Sequence, residues 1–104
     1  MNINLIESLT LKDKVVGETP PSQHEVVMLN DDYTPMEFVV SVLREVFGMT
    51  KSKALQVMFQ VHYEGQARCG FYPPKEAKLK ISIVTDRAQG EGFPLNCIIK
   101  RPIN

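Results

Sequence analysis

Two helix starts, with a helix stop between them, follow one another closely in this chain and constrain its fold more than any other sequence feature. Thr34 and Glu37 have the spacing of a capping box, and Pro35 falls at the first helical position, where its missing N–H costs nothing. Gly48 supplies a left-handed helix stop, and Thr50 can cap the next helix. The sequence therefore predicts two short antiparallel helices joined by a tight turn.

Apolar residues recur at steps of three and four in both predicted helices. The first helix is predicted over residues 35–47, and its apolar face comprises Met36, Val39, Val40, Leu43 and Phe47. The second is predicted over residues 51–63 and ends at Gly65. Its apolar face comprises Ala54, Leu55, Met58, Val61 and His62. Such faces are typical of helices that pack against a hydrophobic core.

Three other segments predict strands. Residues 25–29 are rich in β-branched and apolar residues, and residues 66–72 alternate with period two. Residues 93–100 form the last predicted strand, with one side made by Leu95, Cys97 and Ile99. All three are therefore expected to bury at least one face in the core.

A third helix is predicted over residues 74–89. Pro73 and Pro74 end the preceding strand, and Gly90 closes the helix. Its helical period is carried by Ala77, Ile81, Val84 and Ala88. The order β-α-α-β-α-β predicts an α+β fold, a small two-layer domain in which three helices pack on one side of a three-stranded antiparallel sheet.

The length and composition of the chain predict one domain and argue against several functions. The chain has 104 residues, which we divide into a flexible N-terminal extension over residues 1–24 and a folded domain over residues 25–104. Twelve Lys and Arg balance twelve Asp and Glu, so binding to nucleic acid or to an anionic membrane is not expected. Because signal-peptide features and long apolar runs are also missing, we expect a cytoplasmic protein, with Cys69 and Cys97 as reduced core residues.

The residues before the first helix form an acidic edge. Asn30, Asp31 and Asp32 follow the first predicted strand. Two acids in succession are more than helix capping needs, since one cap oxygen already serves the leading N–H groups, so a cationic ligand is expected here. His62, in the last turn of the second helix, is on its own more typical of a core histidine. Its alternative role is to accept a hydrogen bond from a ligand N–H.

Apolar side chains beside this edge could form the other half of a ligand site. The candidates are Met36, Val39, Met58, Val61 and Leu95. Position on the helical stripes alone favours a core role for Met36 and Met58, while methionine also suits a pocket that accepts several side-chain shapes. A site that is half acidic and half apolar suits a ligand with an ammonium group beside a bulky apolar side chain.

The sequence gives no positive sign of catalysis or of cofactor binding. His62, Cys69 and Cys97 lack the spacing of a zinc site, and Asp31 and Asp32 lack that of an EF-hand. A glycine-rich phosphate loop does not occur. We therefore expect no metal, no cofactor and no enzymatic activity. The alternative from another functional class is a small thiol or metal enzyme that uses His62 with Cys69.

Several of these residues also lie in motifs that resemble the ClpS adaptor family. The motifs are Asn30-Asp31-Asp32-Tyr33-Thr34-Pro35-Met36-Glu37-Phe38-Val39, the segment from Ala54 through Val61-His62-Tyr63-Glu64-Gly65, Cys69-Gly70 and Pro94-Leu95. The resemblance covers residues 25–100. It implies a non-enzymatic adaptor that binds the N-terminal Phe, Tyr, Trp or Leu of N-degron substrates and delivers them to a Clp AAA+ chaperone-protease for degradation.

The resemblance also implies roles for individual residues. Asn30 and His62 would hydrogen-bond the α-ammonium of the substrate, while Asp31 and Asp32 would supply negative charge or hold a bridging water. Met36 would be the gate that excludes β-branched residues. The side-chain pocket would be lined by Met28, Thr34, Met36, Val39, Met58, Val61 and Leu95.

The partner that the resemblance implies is a hexameric Clp AAA+ chaperone of the ClpA type, bound by a monomer of this protein near the start of the third helix. The docking candidates are Lys75, Glu76 and Lys80. Two positions depart from the family, because Met28 stands where Leu is usual and Lys75 stands where an acid is common. The alternative function is a regulator that docks on the Clp chaperone and redirects or inhibits it without using the pocket.

Overall fold

The computed structural model describes residues 23–100, so nearly all of the predicted extension, residues 1–22, lies outside the described part. The elements are β1 (His24–Leu29), α1 (Met36–Glu45), α2 (Lys51–Glu64), β2 (Gln66–Tyr72), α3 (Pro74–Glu91) and β3 (Asn96–Lys100). Their order confirms the predicted α+β fold. His24 belongs to the sheet, although the sequence had placed it in the extension. None of the three helices has the length and apolar character that crossing a membrane requires.

The central strand delivers the chain to the predicted acidic edge. β1 lies between β2 and β3 in an antiparallel sheet with the order β2-β1-β3. Its last residue, Leu29, pairs with Gln66 on one side and with Asn96 on the other. The Asn30 N–H then donates to the Gly65 carbonyl at 2.9 Å, which joins the end of β1 to the end of α2.

The helices pack on the side of the sheet that carries Val26 and Met28, both of which are fully buried. Cys69 and Cys97 lie in the same cluster, as predicted. The buried helix residues of this core are Val39, Val42, Leu43, Ala54, Val57, Met58, Val61, Ala77, Val84 and Ala88. The three predicted apolar faces are therefore largely confirmed, and Val42 and Val57 extend them.

The predicted capping box at the start of α1 is wrong. The helix begins at Met36, Pro35 occupies the N-cap position with φ −65° and ψ 145°, and no side chain caps the helix. The Thr34 hydroxyl instead donates to the Asp31 carboxylate, at 2.8 Å from Oδ2. The Thr34 N–H also donates to Asp31, at 2.7 Å from Oδ1, so the carboxylate holds both the backbone and the side chain of Thr34 in the loop before the helix.

Other element ends agree with the sequence in part. Thr50 caps α2 by accepting from the Lys53 N–H at 3.1 Å, and Gly65 ends that helix with φ 90°, both as predicted. α1 ends two residues early at Glu45, before the left-handed Gly48. α3 continues through Gly90 and ends at Gly92, which has φ 79°. Residues 93–95 complete the return to the sheet, so β3 begins at Asn96 rather than at Phe93.

Lys80 links α3 to the end of α1. Its Nζ donates to the Val46 carbonyl at 2.9 Å and lies 5.0 Å from the centre of the Tyr72 ring. Val46 follows the last residue of α1, so the ammonium meets the negative end of that helix. The Lys80 side chain is only 21% exposed. This predicted docking residue therefore holds part of the fold together.

We expect Lys80→Ala to lower the free energy of unfolding by about 1–3 kcal/mol, because the change removes a hydrogen bond from a charged donor and a cation–π contact. Lys75→Ala, at an exposed position of the same helix, should stay within about 0.5 kcal/mol of the wild type. Urea unfolding followed by circular dichroism measures both. Equal stability of the two variants would contradict this role of Lys80.

Candidate functional site

The loop between β1 and α1 is organised by the Asp31 carboxylate. Oδ1 accepts from the Tyr33 N–H at 2.8 Å and from the Thr34 N–H at 2.7 Å. The Thr34 hydroxyl lies 3.0 Å from Oδ1 and 2.8 Å from Oδ2. Aspartate commonly closes turns in this way, by accepting from the backbone two and three residues on. The loop therefore has a defined shape before any ligand binds.

These hydrogen bonds also determine the charge of Asp31. Burial raises the pKa of the carboxyl, but the hydrogen bonds from Thr34 and Tyr33 outweigh burial and lower the pKa below its ordinary value. Asp31 is consequently ionised at neutral pH. Asp32, the next residue, is exposed, so the loop presents two acidic side chains in succession.

A cavity of about 380 Å³ opens beside this loop, between β1 and the first two helices. Its volume is within the range of small-molecule sites. The lining residues are Leu29, Asn30, Asp31, Asp32, Tyr33, Thr34, Pro35, Met36, Val39, Met58, Val61, His62 and Leu95. The cavity thus joins an acidic edge to an apolar wall.

The apolar wall is mostly the surface of the core itself. Val39, Met58, Val61 and Leu95 are each no more than 7% exposed. Met36, at the start of α1, differs because it is 42% exposed. The wall therefore has a floor made by four buried side chains and a more accessible rim at Met36.

The structure brings together every residue predicted to bind the α-ammonium of the ligand or to line the side-chain pocket, except Met28. Met28 has no exposed surface and belongs to the core, so its prediction as a lining residue is wrong. It sits at the middle of the sheet, paired with Ala67 and Cys97 on the two neighbouring strands. Leu29, Tyr33 and Pro35 line the cavity but were missed as site residues. Their only sequence signal is that they flank the polar motif.

His62 is exposed in the last turn of α2, so the interpretation as a core histidine is wrong. Its ring meets the Tyr63 ring edge-on, with the ring centres 4.8 Å apart. The Asn30 N–H to Gly65 carbonyl hydrogen bond ties the turn after His62 to the start of the acidic loop. This tie explains why His62 and Asn30 line one cavity.

The predicted docking residues lie on α3 and do not line the cavity. Lys75 and Glu76 are exposed in the first turn of the helix, whereas Lys80 is engaged with Val46. Lys80 Nζ also lies 3.9 Å from the Glu76 carboxylate, one turn away. Lys75 and Glu76 are therefore the two docking candidates that present accessible side chains.

Two observations bear on the enzyme alternative. Within residues 23–100, no group of three or more His, Cys, Asp or Glu side chains is placed to hold a metal ion. The hydrogen bond with the Cys97 thiol, together with burial, raises the pKa of Cys69 far above its ordinary value. Since the thiolate is the reactive form, Cys69 is inert as a nucleophile at neutral pH.

Comparisons with known proteins show which family this chain resembles. The family model of the ATP-dependent Clp protease adaptor protein ClpS matches residues 19–98. A curated ATP-dependent Clp protease adapter protein ClpS from Herminiimonas arsenicoxydans is 46% identical over 81 residues, which are 78% of this chain and 79% of that protein. The relative of the same description from Neisseria meningitidis is 46% identical over 85 residues, 82% of each chain.

A solved structure is also similar, that of Agrobacterium tumefaciens ClpS2 bound to L-phenylalaninamide. It has a TM-score of 0.76 and 36% sequence identity, and the alignment covers 80% of this chain and all of that one. The fold and the matched sequences define a protein of the adaptor class, one that works with a protease. The chain belongs to the ClpS family of ATP-dependent Clp protease adaptors.

The role of Asp31 in the loop can be tested by pH. Its folded-state pKa is lowered, so its contribution to stability is fully present above the ordinary value of 3.8 and is lost as the pH falls through the folded-state value. We expect Asp31→Asn to lower the free energy of unfolding by about 1–2 kcal/mol at pH 6, because the charge-assisted hydrogen bonds weaken.

Below pH 3.8 this difference from the wild type should shrink. Chemical denaturation at a series of pH values measures it, and Asp32→Asn serves as the matched control, with a change within about 0.5 kcal/mol throughout. A difference between wild type and Asp31→Asn that is the same at pH 6 and pH 2.5 would contradict the proposed ionic role.

Proposed function

We propose that this protein is a non-enzymatic adaptor that binds proteins by a free N-terminal Phe, Tyr, Trp or Leu and delivers them to a Clp AAA+ chaperone-protease. The observation that carries the proposal is the cavity, in which an acidic edge adjoins an apolar floor. An N-terminal residue of this kind has the complementary parts, an ammonium group beside a large apolar side chain.

The ligand of the Agrobacterium relative supports this assignment. L-phenylalaninamide carries a free α-amino group, which stands for the start of a polypeptide, and a carboxamide, which stands for the first peptide bond. Its benzyl group stands for the N-terminal side chain. One small molecule thus contains the ammonium group and the apolar side chain to which the two halves of the cavity are complementary.

At the acidic edge, the Asn30 side-chain oxygen and a ring nitrogen of neutral His62 would accept hydrogen bonds from the ammonium group. Asp31 and Asp32 would supply the negative charge that holds it. An α-amino group has a reference pKa of about 7.7–8.0, so it is mostly charged near pH 7. Acetylation would remove that charge and add bulk at the acidic edge.

At the apolar floor, Val39, Met58, Val61 and Leu95 would contact the first side chain, with Thr34 at the loop side. Full burial of a Phe or Leu side chain contributes roughly 1.5–3 kcal/mol, and each hydrogen bond to the ammonium about as much. With contacts to the peptide backbone, the sum approaches the ~8 kcal/mol of micromolar binding. Met36 at the rim would exclude β-branched side chains.

Delivery would use a different surface. Lys75 and Glu76 are accessible at the start of α3, outside the cavity, so substrate and chaperone can be bound at the same time. We propose that a monomer docks there on a hexameric chaperone of the ClpA type. The chemical step would belong to the protease.

Fluorescence anisotropy with three labelled peptides tests the binding step. We expect a Phe-initiated peptide to bind with a micromolar dissociation constant. Its N-acetylated twin, which lacks the ammonium charge, and an Ile-initiated twin, whose β-branched side chain Met36 would exclude, should each bind at least about tenfold more weakly. Equal affinity for all three, or no binding to any, would leave the chaperone-docking regulator as the better account.

Two variants make this assay specific for the cavity. Asp32→Asn removes an exposed negative charge from the loop, and Glu37→Gln removes one from the first turn of α1. Only Asp32 lines the cavity. We expect about fivefold weaker binding of the Phe-initiated peptide for Asp32→Asn and less than about twofold for Glu37→Gln. The same loss in both variants would point to a general charge effect rather than to contact.

A further inference from the structure

A second, shallow surface adjoins the cavity, and we call it the Tyr33 groove. Its lining residues are Tyr33, Gln89, Gly92, Phe93 and Pro94. Tyr33 also lines the cavity, so the two surfaces are continuous at this residue. None of the five lining residues is charged, and the exposed surface of the groove is mainly apolar. The groove therefore differs in chemistry from the acidic edge that it adjoins.

The walls of the Tyr33 groove are held in place by contacts elsewhere in the fold. On one side, the Tyr33 N–H is bound by the Asp31 carboxylate. On the other side, the Phe93 N–H donates to the Ala88 carbonyl at 2.8 Å, and the Phe93 ring packs edge-on against Phe38 with ring centres 5.0 Å apart. The backbone on both sides of the groove is thus held in place, so a bound segment would not have to order it.

The Tyr33 side chain is 79% exposed, although its backbone is fixed. A large aromatic side chain that stands in solvent on a fixed backbone leaves most of its apolar surface available for a partner. Because this side chain stands where the cavity and the groove meet, a ligand that leaves the cavity along the groove would cover it. The position of Tyr33 thus favours an occupant continuous with the cavity ligand.

We propose that the Tyr33 groove binds the substrate segment that follows the N-terminal residue, and that it favours an apolar side chain at position two or three. This inference rests on the proposed function. An extended peptide advances about 3.3 Å per residue, so positions two and three lie within about 7 Å of the first residue. They can therefore reach a groove that shares a wall with the cavity.

The first test compares three ligands in a competition assay against the labelled Phe-initiated peptide. They are L-phenylalaninamide, a Phe-initiated peptide with Leu at positions two and three, and its twin with Ser at both. We expect the Leu peptide to bind about fivefold more tightly than the Ser peptide, since a partly buried Leu gains part of its transfer free energy. Equal affinity of the two peptides would overturn the proposal.

The second test places a charge in the groove without touching the cavity. Gln89 is exposed and lines the groove only, so Gln89→Lys should leave binding of L-phenylalaninamide unchanged. The same variant should raise the affinity ratio between two Phe-initiated peptides, one with Glu at positions two and three and one with Gln at both. We expect this ratio to rise about threefold in favour of the Glu peptide, as expected of a surface charge pair. Gln56→Lys, an exposed change on α2 outside both surfaces, is the matched control.

The outcomes separate this inference from the proposed function. If L-phenylalaninamide does not bind, the proposed function itself fails. If it binds, the preference for the Glu peptide decides the groove assignment. An equal preference in the Gln89→Lys and Gln56→Lys variants would mean that the substrate segment lies elsewhere, and the assignment would be overturned. A Leu preference together with a charge effect specific to Gln89→Lys supports the groove.

Discussion

The site depends on one interaction, the hydrogen bonding of the Asp31 carboxylate to the loop that follows β1. That carboxylate accepts from the Tyr33 and Thr34 N–H groups and from the Thr34 hydroxyl, all within 3.0 Å. The loop begins at Asn30, whose N–H is tied to the end of α2. Because both ends are held, the acidic edge and the start of α1 keep a fixed relation to His62. A ligand ammonium would therefore meet an arrangement that is already formed.

The apolar half of the site has a different origin, since it is the outer surface of the core. Val39, Met58, Val61 and Leu95 line the cavity and also belong to the buried cluster. Changes in this floor would therefore affect the stability of the fold as well as binding. The exposed rim residue Met36 carries no such constraint. We infer that the floor sets the requirement for an apolar side chain, and that rim residues can adjust which side chain is preferred.

The sequence predicted the fold well where one signal acted alone. Thr50 caps the start of α2 and the left-handed Gly65 ends it, both as expected. At Thr34 the prediction failed, since the Asp31 carboxylate holds the Thr34 N–H and hydroxyl in the loop and α1 begins only at Met36. The acidic edge and most of the cavity wall followed from the pattern and the family resemblance. The Tyr33 groove did not, because it joins the first loop to the residues after α3, and sequence spacing carries no signal of that contact.

The central claim is that one cavity recognises an ammonium group and an apolar side chain together. Isothermal titration with L-phenylalaninamide, 3-phenylpropanamide and L-alaninamide tests it directly, because the second ligand lacks only the ammonium and the third lacks the phenyl ring. We predict that each omission weakens binding by at least about tenfold, the loss expected for one charged hydrogen bond or for much of an aromatic side chain. Equal binding of 3-phenylpropanamide and L-phenylalaninamide would contradict the account.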